Sequence, residues 1–544
     1  MPASSSASAS AKRLTLIACI LGSGIVLLDG TVVNVALPTI QRALGGGLAG
    51  QQWVVNGYLL TLGSLILVGG SLGDLFGERR VFALGVGAFG VASVICALAP
   101  SIGVLIAARA LQGVAGALLV PSSLAVIVNT FEEGERGPAI GSWTAWGSIA
   151  GVLGPLAGGE LLEIASWRWI FLMNVPLVIA CVTLILTAIP PSAPRVRGAR
   201  RIDVPGALLC ALGLGGPVFA LIEQPRLGWS SIAVIGPLIG GIVLLAVFTV
   251  YESRTSDPML PLRLFRRRNF TAGNIETLAM YAGLAILFFF LILFLQQIAG
   301  YSPLKSGLAT LPVTLVMFFA SRRFGAMADR FGPRFFMGAG PLIAAAGLLL
   351  FQNTGLRPDY VSEVLAPLLI FSVGLSMTVA PLTAAVLAGS EQEAGIASGV
   401  NNAIARVAGL LGTAAVGAAI ASSFVASMNS RLAGVHLGSA AQAAVSEAKR
   451  LPLGRPELHS GIPAAQAHAV LAAAEGASLH AFHLGMAIAA LLVAIGGIVG
   501  AIWIRNPRRA DVRASECAGG QLVGVSSPEP VEGEQQRAAA ASAG

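Results

Sequence analysis

Two charged residues of opposite sign stand inside long apolar runs of the sequence, where charges are rare. Asp29 follows the start of its run, Leu14, by 15 residues, or about 22 Å of α-helix. Arg109 lies 6 residues into a run that begins near Gly103 and crosses in the opposite direction, so its depth nearly matches that of Asp29. Since one charge at the centre of a membrane helix costs about 2.5 to 3.5 kcal/mol, we expect the two residues to be partners.

Such a pair is suited to proton exchange. Burial favours a protonated carboxyl, whereas a nearby guanidinium favours a carboxylate, so a change in their contact would move a proton. Asp29 and Arg109 are therefore predicted to couple proton movement to another event, with a permanent structural ion pair as the alternative. Glu276, near the start of its own apolar run, is predicted to be a second proton or cation site, with helix-end capping or snorkelling as the alternative.

Other polar and aromatic residues in the apolar runs would suit a binding cavity for flat or cationic ligands. Aromatic rings provide adaptable apolar walls and cation–π contacts, although most aromatics in such a chain face lipid. We assign to this cavity Asn34, Trp53, Gln112, Trp146, Tyr281 and Arg406. Arg406 ranks below Arg109, because packing against backbone carbonyls would also explain it.

The elements that position these residues are membrane helices. Of the 544 residues, 55% are hydrophobic and only 11% are charged, whereas soluble domains carry roughly a quarter charged residues. Apolar runs of about 20 residues recur from Leu14 to Ile504, each long enough to cross a hydrocarbon layer roughly 30 Å thick. The composition predicts an all-α polytopic membrane protein, whose surroundings are the lipid bilayer.

The runs fall into groups of six, two and six, about fourteen spans, which predicts two six-helix bundles with two extra central helices. The predicted regions are an N-terminal tail (1–13), a six-helix bundle (14–189), basic linkers with two inserted helices (190–270), a second six-helix bundle (271–504) that includes a partly helical external loop (425–480), and a disordered tail (505–544).

The distribution of basic residues predicts the orientation. Of the 34 lysines and arginines, 23 fall on the side of both termini, nine on the other side and two within spans. Because basic residues concentrate in cytoplasmic loops, both termini are predicted to be cytoplasmic, in a bacterial inner membrane. The net charge of +8 lies in these loop clusters, so we predict no nucleic-acid partner. The five cysteines include no CxxC pair, and neither a metal nor a cofactor is predicted.

An internal repeat links the two bundles. GSLGDLFGERR (70–80) and GAMADRFGPRF (325–335) follow the second span of each group and both fit GxxxDxFGxR. The predicted conformational residues in these copies are Gly70, Asp74, Gly77 and Arg79, and Gly325, Asp329, Gly332 and Arg334. Two copies at equivalent points predict a duplicated bundle with a central site, in which the aspartates cap a helix or pair with arginines across the halves.

The fifth span contains a second conformational motif, rich in glycine around one proline. Its members are Gly147, Gly151, Gly154, Pro155, Gly158 and Gly159. Because glycine has no side chain and proline donates no backbone hydrogen bond, this helix is predicted to bend and to pack closely. Plain GxxxG packing is the alternative.

With these motifs the sequence resembles the major facilitator superfamily, and within it the fourteen-span drug:proton antiporters of the EmrB/QacA type. The resemblance covers nearly the whole chain except the termini and the predicted outer loop. The segments that carry it, besides the repeat, are LDGTVVNVALP (28–38), RALQGVAGA (109–117), GSIAGVLGPLAGG (147–159), SWRWIFLMNVP (166–176) and LQQIAGYSPLKSGLATLP (295–312). The first repeat copy departs from the family pattern, since Leu75 and Glu78 replace basic residues, so the charge network of this turn is not carried over.

The resemblance implies a secondary transporter that exports drugs or other amphipathic small molecules in exchange for protons, by alternating access. The alternative is a dedicated exporter of one endogenous metabolite, such as a self-made antibiotic or a siderophore. An ATP-driven pump is excluded, because the three lysines do not stand in a Walker A motif, and the sequence has no HExxH or GxSxG motif of an enzyme. A sensor built on the same fold stays open, and the sequence does not determine whether a periplasmic adaptor assists.

Overall fold

The computed structural model describes residues 9–190, 203–387, 394–456 and 461–506. Apart from its first two residues, the predicted disordered tail lies outside this part of the chain, as do residues 1–8 of the predicted N-terminal tail. The helices of the first half are α1 (Ala9–Leu44), α2 (Gly47–Phe76), α3 (Glu78–Leu98), α4 (Ile102–Thr130), α5 (Glu133–Ile164), α6 (Trp169–Leu172) and α7 (Asn174–Ala188). An inserted hairpin follows, made of α8 (Val204–Leu227) and α9 (Ile232–Arg254).

The second half contains seven more α-helices, and the described residues form no strand. They are α10 (Arg268–Gln297), α11 (Pro303–Phe331), α12 (Pro333–Leu350), α13 (Ala366–Leu387), α14 (Ala394–Arg431), α15 (Ser439–Ala448) and α16 (Ala464–Trp503). Several helices begin at side-chain caps, because the first backbone N–H groups of a helix have no partner within it. Ser101 accepts from the Val104 amide, and Ser302 accepts from the Lys305 amide.

Among the described residues, thirteen helical segments are long and apolar enough to cross a membrane. The 32-residue helix α5 also runs the full depth of the bundle. Near its start, Glu135 pairs with Lys12 at the beginning of α1, at 2.5 Å. Near its end, a Cβ at Gly159 would lie 2.6 Å from Cα of Leu304, at the beginning of α11. With α5, the described residues contain fourteen long helical segments, in agreement with the about fourteen spans that the sequence predicts.

The first and last of these helices have their termini on the same side. Gln296, near the end of α10, donates to the carbonyl of Val35 in the second half of α1, so the two helices run in the same direction. At the start of α10, Arg268 donates to the carbonyl of Trp503, the last residue of α16. We call this side the terminal side and the other the distal side.

On the distal side, the helices extend farther than hydropathy predicts. Helix α14 continues to Arg431 and α16 begins at Ala464, so the predicted loop 425–480 reduces to residues 432–463, which include α15. The physical reason is composition: alanine is the strongest helix former, so these segments stay helical after their hydrophobicity has fallen. A hydropathy profile marks the end of the membrane, whereas the helix ends later.

The two halves have the same internal packing. In the first, α1 packs against α5 and α7, and α3 packs against α4 and α7; in the second, α10 packs against α14 and α16, and α12 packs against α13 and α16. The halves meet where α2 crosses α14 and where α5 crosses α11. Helix α8 packs on both α2 and α14, so the inserted hairpin contacts both halves.

Candidate functional site

The structure brings Asp29 and Arg109 together in the interior of the first half. Arg109 Nη1 lies 2.5 Å from Asp29 Oδ2, and the two side chains are 1% and 0% exposed. Helices α1 and α4 cross at this level and carry the two residues to the same depth. The predicted partnership is therefore confirmed.

Both oxygens of Asp29 are bound by several side chains. Gln112 Nε2 and Asn174 Nδ2 donate to Asp29 Oδ1 at 3.0 and 3.1 Å. Both amides also donate to Ser93 Oγ, at 2.8 and 3.3 Å, and Gln112 Oε1 accepts from Arg109 Nη1 at 2.5 Å. The carboxylate thus has donors from α4 and α7, and α3 joins the network through Ser93, which accepts from both amides.

Arg109 is positioned by α2 as well. Its Nε donates to the carbonyl of Val54 at 3.1 Å, and its guanidinium carbon lies 4.3 Å from the centre of the Tyr58 ring. The Phe171 ring contributes a second cation–π contact, at 5.9 Å. These contacts partly replace the water that a guanidinium loses on burial. A movement of α2 would therefore change the surroundings of the ion pair.

Sequence reasoning found only part of this network. Gln112 was assigned to the substrate cavity, but it is fully buried and binds Asp29 and Arg109. Ser93 and Asn174 were missed as partners of Asp29, and Tyr58 was not assigned to the ion pair. The available signal was their type, since each is a polar group within an apolar run at the depth of Asp29.

Glu276 is buried apart from this network. Its side chain is 0% exposed, and neither carboxyl oxygen has a hydrogen-bond partner among the described residues. It faces α16, because a Cβ at Gly500 would lie 2.6 Å from Glu276 Oε2, and the same Cβ would lie 2.5 Å from the carbonyl of Met337 in α12. This full burial does not fit the alternative of a helix-end cap in contact with water.

The remaining predicted cavity residues do not form one cluster. Trp53 faces the inserted hairpin, where it donates to Glu223 Oε1 at 3.0 Å, and Tyr281 is buried in the core of the second half. Asn34 is half-buried and donates to the carbonyl of Gly30 at 3.4 Å, whereas Trp146 is 55% exposed. Of the six residues, the structure places Gln112 directly at the ion pair.

Arg406 lies where α14 crosses α2. A Cβ at Gly63 of α2 would lie 3.2 Å from Cβ of Arg406, and Nε of Arg406 is buried without a hydrogen-bond partner among the described residues. Gly63 lies on the same helix as Tyr58, whose ring contacts the guanidinium of Arg109. Arg406 is therefore the predicted cavity residue that connects the second half with the surroundings of the ion pair.

The two repeat motifs form one-residue turns on the terminal side. Gly77 and Gly332 both have φ of +88°, a region that favours glycine, and each separates two long helices. After the turns, Arg79 donates to the carbonyl of Leu186 in α7, and Arg334 donates to the carbonyl of Ala501 in α16, each at 2.7 Å. The side chain of Asp74 lies outside the described part of the structure.

The glycines of α5 let this helix approach both halves closely. A Cβ at Gly154 would lie 3.0 Å from the carbonyl oxygen of Leu28, and one at Gly158 would collide with Val32. Pro155 contacts α11, since a Cβ at Gly307 would lie 2.6 Å from its carbonyl oxygen. Close packing of α5 on α1 and α11 is thus visible, and a role of the motif in antiport stays a prediction.

Comparison with known proteins agrees with this architecture. The family model described as Major Facilitator Superfamily matches residues 19–413. The chain is 38% identical to the puromycin resistance protein of Streptomyces alboniger over 72% of this chain and 78% of that protein. It is 34% identical to the tetracenomycin C resistance and export protein of Streptomyces glaucescens over 75% and 76%.

The solved structures agree on the fold. A bacterial homologue of the human lysosomal transporter Spinster, in an inward-facing and unoccupied conformation, has a TM-score of 0.60 at 17% identity and covers 92% of this chain and 100% of its own. The repeated bundles, the fourteen long helices and the family match lead to one conclusion: the chain belongs to the major facilitator superfamily.

Proposed function

We propose that this protein exports drugs or other amphipathic small molecules across the bacterial cytoplasmic membrane in exchange for protons, with both termini in the cytoplasm. The observation that carries the proposal is the buried Asp29–Arg109 pair with its amide partners. The names of the relatives, which describe resistance to and export of antibiotics, support the substrate class. The repeated halves support alternating access, in which two similar bundles rock about a central site.

The ion pair provides a mechanism for coupling. As a carboxylate, Asp29 accepts hydrogen bonds on both oxygens, from Arg109 on one and from Gln112 and Asn174 on the other. A proton on either oxygen turns an acceptor into a donor, so at least one of these bonds breaks. Because the donors lie on α4 and α7, protonation changes the contact of α1 with at least one of these helices. Proton binding and helix position are therefore linked.

Arg109 connects this event to the interface between the halves. It contacts Tyr58 of α2, and Arg406 of α14 packs against Gly63 of the same helix from the other half. A substrate between α2 and α14 would change the position of Tyr58, and with it the contact of Arg109 with Asp29. Substrate and proton then influence each other without direct contact.

We include Glu276 as a second candidate proton site in the second half. Its carboxyl has no ionic partner among the described residues, so the neutral, protonated form is favoured in the closed packing of α10 against α16. Release of this proton would require water or a donor to reach the α10–α16 contact.

The test is proton release from proteoliposomes with an acidic lumen when candidate antibiotics are added. We expect substrate-dependent release by the wild type and its loss in Asp29→Asn, since the amide cannot exchange a proton. The matched control is Asp257→Asn, which makes the same change at an exposed position between α9 and α10. Equal release by Asp29→Asn and the control would rule out Asp29 as the coupling residue.

The second candidate function is a dedicated exporter of one endogenous metabolite. The tetracenomycin C resistance and export protein favours it, because the name of this relative gives a single compound. The same proteoliposomes distinguish the two functions. Unrelated compounds are tested for competition with the uptake of one labelled substrate. Mutual competition supports a broad drug exporter, whereas transport of one compound without competition supports the dedicated exporter.

A further inference from the structure

A second pair of acidic side chains meets at the base of the inserted hairpin, on the terminal side. Asp203 immediately precedes α8, and Glu252 lies in the last turn of α9; the two residues are 8% and 2% exposed. An oxygen of each carboxyl lies beside Gly206, close enough to collide with a Cβ added there, so the two carboxyl groups are neighbours. The pair therefore connects the two ends of the hairpin.

Each carboxyl uses one oxygen for a backbone amide. Asp203 Oδ1 accepts from the amide of Gly206, as the N-cap of α8, at 2.9 Å. Glu252 Oε2 accepts from the amide of Leu260 at 2.9 Å. The remaining oxygens, Asp203 Oδ2 and Glu252 Oε1, are buried and have no donor among the described residues. Both border Gly206, where a Cβ would collide with the two oxygens.

No described positive charge neutralises this pair. Among the described residues, the thiol of Cys210 on α8 also lies near Glu252, and this thiol contacts Ser64 of α2. From the connection after α9, the groups that face Glu252 are the backbone amides of Met259 and Leu260. Arg254, at the end of α9, is exposed and makes no described ion pair with either acid. Two ionised carboxylates would therefore repel each other in a buried site.

We propose that Asp203 and Glu252 bind one shared proton, and that this proton holds the base of the hairpin closed. Asp203 is the acceptor in this arrangement, because its other oxygen already caps the N-terminal end of α8. The proton resides on Glu252 Oε1 and is donated to Asp203 Oδ2, which turns two facing acceptors into a hydrogen bond. Paired carboxyl groups that share one proton are a recurrent solution to this geometry.

A proton fits this site better than a metal ion does. Calcium takes 6–8 oxygen ligands and magnesium requires nearly ideal octahedral geometry. The described residues offer only the two facing oxygens, since the other oxygen of each carboxyl is already bound to an amide. The described part of the chain also contains no group of three acidic, histidine or cysteine residues suited to a metal.

The pair also connects the hairpin to the second half. Glu252 binds the amide of Leu260, and four residues later Leu264 is fully buried with Phe270 and Phe336 of the second half. Loss of the proton would place two like charges together and separate α8 from α9 at the base. The connection at residues 255–267 would then lose its anchor on α9. The site would therefore respond to pH on the terminal side of the membrane.

Hydrogen–deuterium exchange of the full-length protein in nanodiscs tests this proposal. The peptide that contains Leu260 is followed from acidic to alkaline pH, after correction for the intrinsic exchange rate. If opening requires loss of one proton, protection of this amide in the wild type falls by up to about tenfold per pH unit. Protection that does not change across the pH range would overturn the proposal.

Two variants of similar shape imitate the protonated pair. In Glu252→Gln, the amide nitrogen donates to Asp203 and the amide oxygen accepts from Leu260, so we expect protection without pH dependence. Asp203→Asn can donate to Glu252 in the same way and serves as an independent variant. The matched control is Asp257→Asn, at an exposed position of the same connection, which should keep the wild-type pH profile.

Three results would contradict the shared proton. One is a wild-type pH profile in both Glu252→Gln and Asp203→Asn. Another is Leu260 exchange in Glu252→Gln that is as fast as in Glu252→Ala, which removes both oxygens. The third is protection at alkaline pH that appears with added magnesium or calcium and disappears with a chelator, since it would assign the pair to a cation.

Discussion

The first and second halves each bury a carboxyl on their first long helix, yet the two carboxyls have opposite surroundings. Asp29 on α1 faces Ser93 of α3 and Asn174 of α7, and its partners occupy both oxygens. Glu276 on α10 faces the corresponding helices, α12 and α16, but meets the small residues Gly496 and Gly500 and has no described donor. The two halves therefore share the junction of three helices around a carboxyl, whereas the side chains that surround the carboxyl differ.

This difference teaches that one packing arrangement can hold a charge or a neutral acid, depending on a few side chains. Polar partners on the third and last helices stabilise an ionised carboxylate in the first half. Glycines at the second junction leave room for a longer side chain but provide no donor. We therefore expect substitutions at the two junctions to differ in the size and in the physical cause of their effects on stability, from the largest effect to the smallest as follows.

Removal of the guanidinium should have the largest effect. Arg109→Met leaves the carboxylate of Asp29 buried beside neutral amides only, and we expect a loss of about 3–5 kcal/mol in the free energy of unfolding. The measurement is denaturant or thermal unfolding in detergent. The double variant Arg109→Met with Asp29→Asn should recover most of this loss. An additive double variant would show that the two charges are not energetically coupled.

Removal of one amide should have a smaller effect. Asn174→Ala deletes the bonds from α7 to Asp29 and Ser93, and a hydrogen bond to a charged group contributes about 1.5–3 kcal/mol. The matched control is Thr183→Ala on the exposed face of the same helix. Equal unfolding free energies of the two variants would mean that α7 does not stabilise the carboxylate.

Filling the second junction should destabilise by crowding rather than by charge. In Gly500→Ala, the new methyl group would lie 2.6 Å from Glu276 Oε2 and 2.5 Å from the Met337 carbonyl oxygen. Such overpacking costs about 1–3 kcal/mol, and the loss should not depend on pH. Gly236→Ala in α9, where no atom lies within 4 Å of the added methyl, is the control and should be neutral or slightly stabilising. If Gly500→Ala left the free energy of unfolding unchanged, the helices at this junction would be able to move apart without cost.

The smallest effect is expected for Glu276→Gln. An amide of nearly the same shape replaces a carboxyl that is already neutral in our proposal, so unfolding free energy should change by less than about 1 kcal/mol. Parallel unfolding of Asp29→Asn provides the comparison, since that amide loses the ionic contact with Arg109. A larger destabilisation by Glu276→Gln than by Asp29→Asn would reverse the assignment of charged and neutral junctions.

Much of this architecture was predictable because membranes impose simple rules. The length of apolar runs gave the span count, and the matching depths of Asp29 and Arg109 gave their partnership, since isolated charges are costly in lipid. The repeat motif indicated the duplication. What was not predictable depends on helix rotation, which a run of uniformly apolar residues does not reveal. Trp53 faces the inserted hairpin, and Gln112 belongs to the ion pair, although both were assigned to the cavity.

The boundaries of the distal segment were also missed, for a different reason. A hydropathy profile indicates which residues suit lipid, whereas helix propensity indicates which residues favour a helical backbone. In the alanine-rich ends of α14 and α16 the two properties therefore predict different helix boundaries. The Asp203–Glu252 contact was invisible in sequence because about fifty residues separate its members. Their meeting depends on the α8–α9 hairpin, whose register the pattern does not specify.

The one-residue turns at Gly77 and Gly332 have a consequence for how related chains can vary in length. An α-helix advances by about 100° per residue, so one inserted or deleted residue at either turn would rotate every side chain of the next helix away from its neighbours. The connection between α14 and α16 has no such constraint, because a separate short helix and irregular chain lie within it. Insertions and deletions among homologues should therefore be absent from the two turns and frequent between residues 432 and 463.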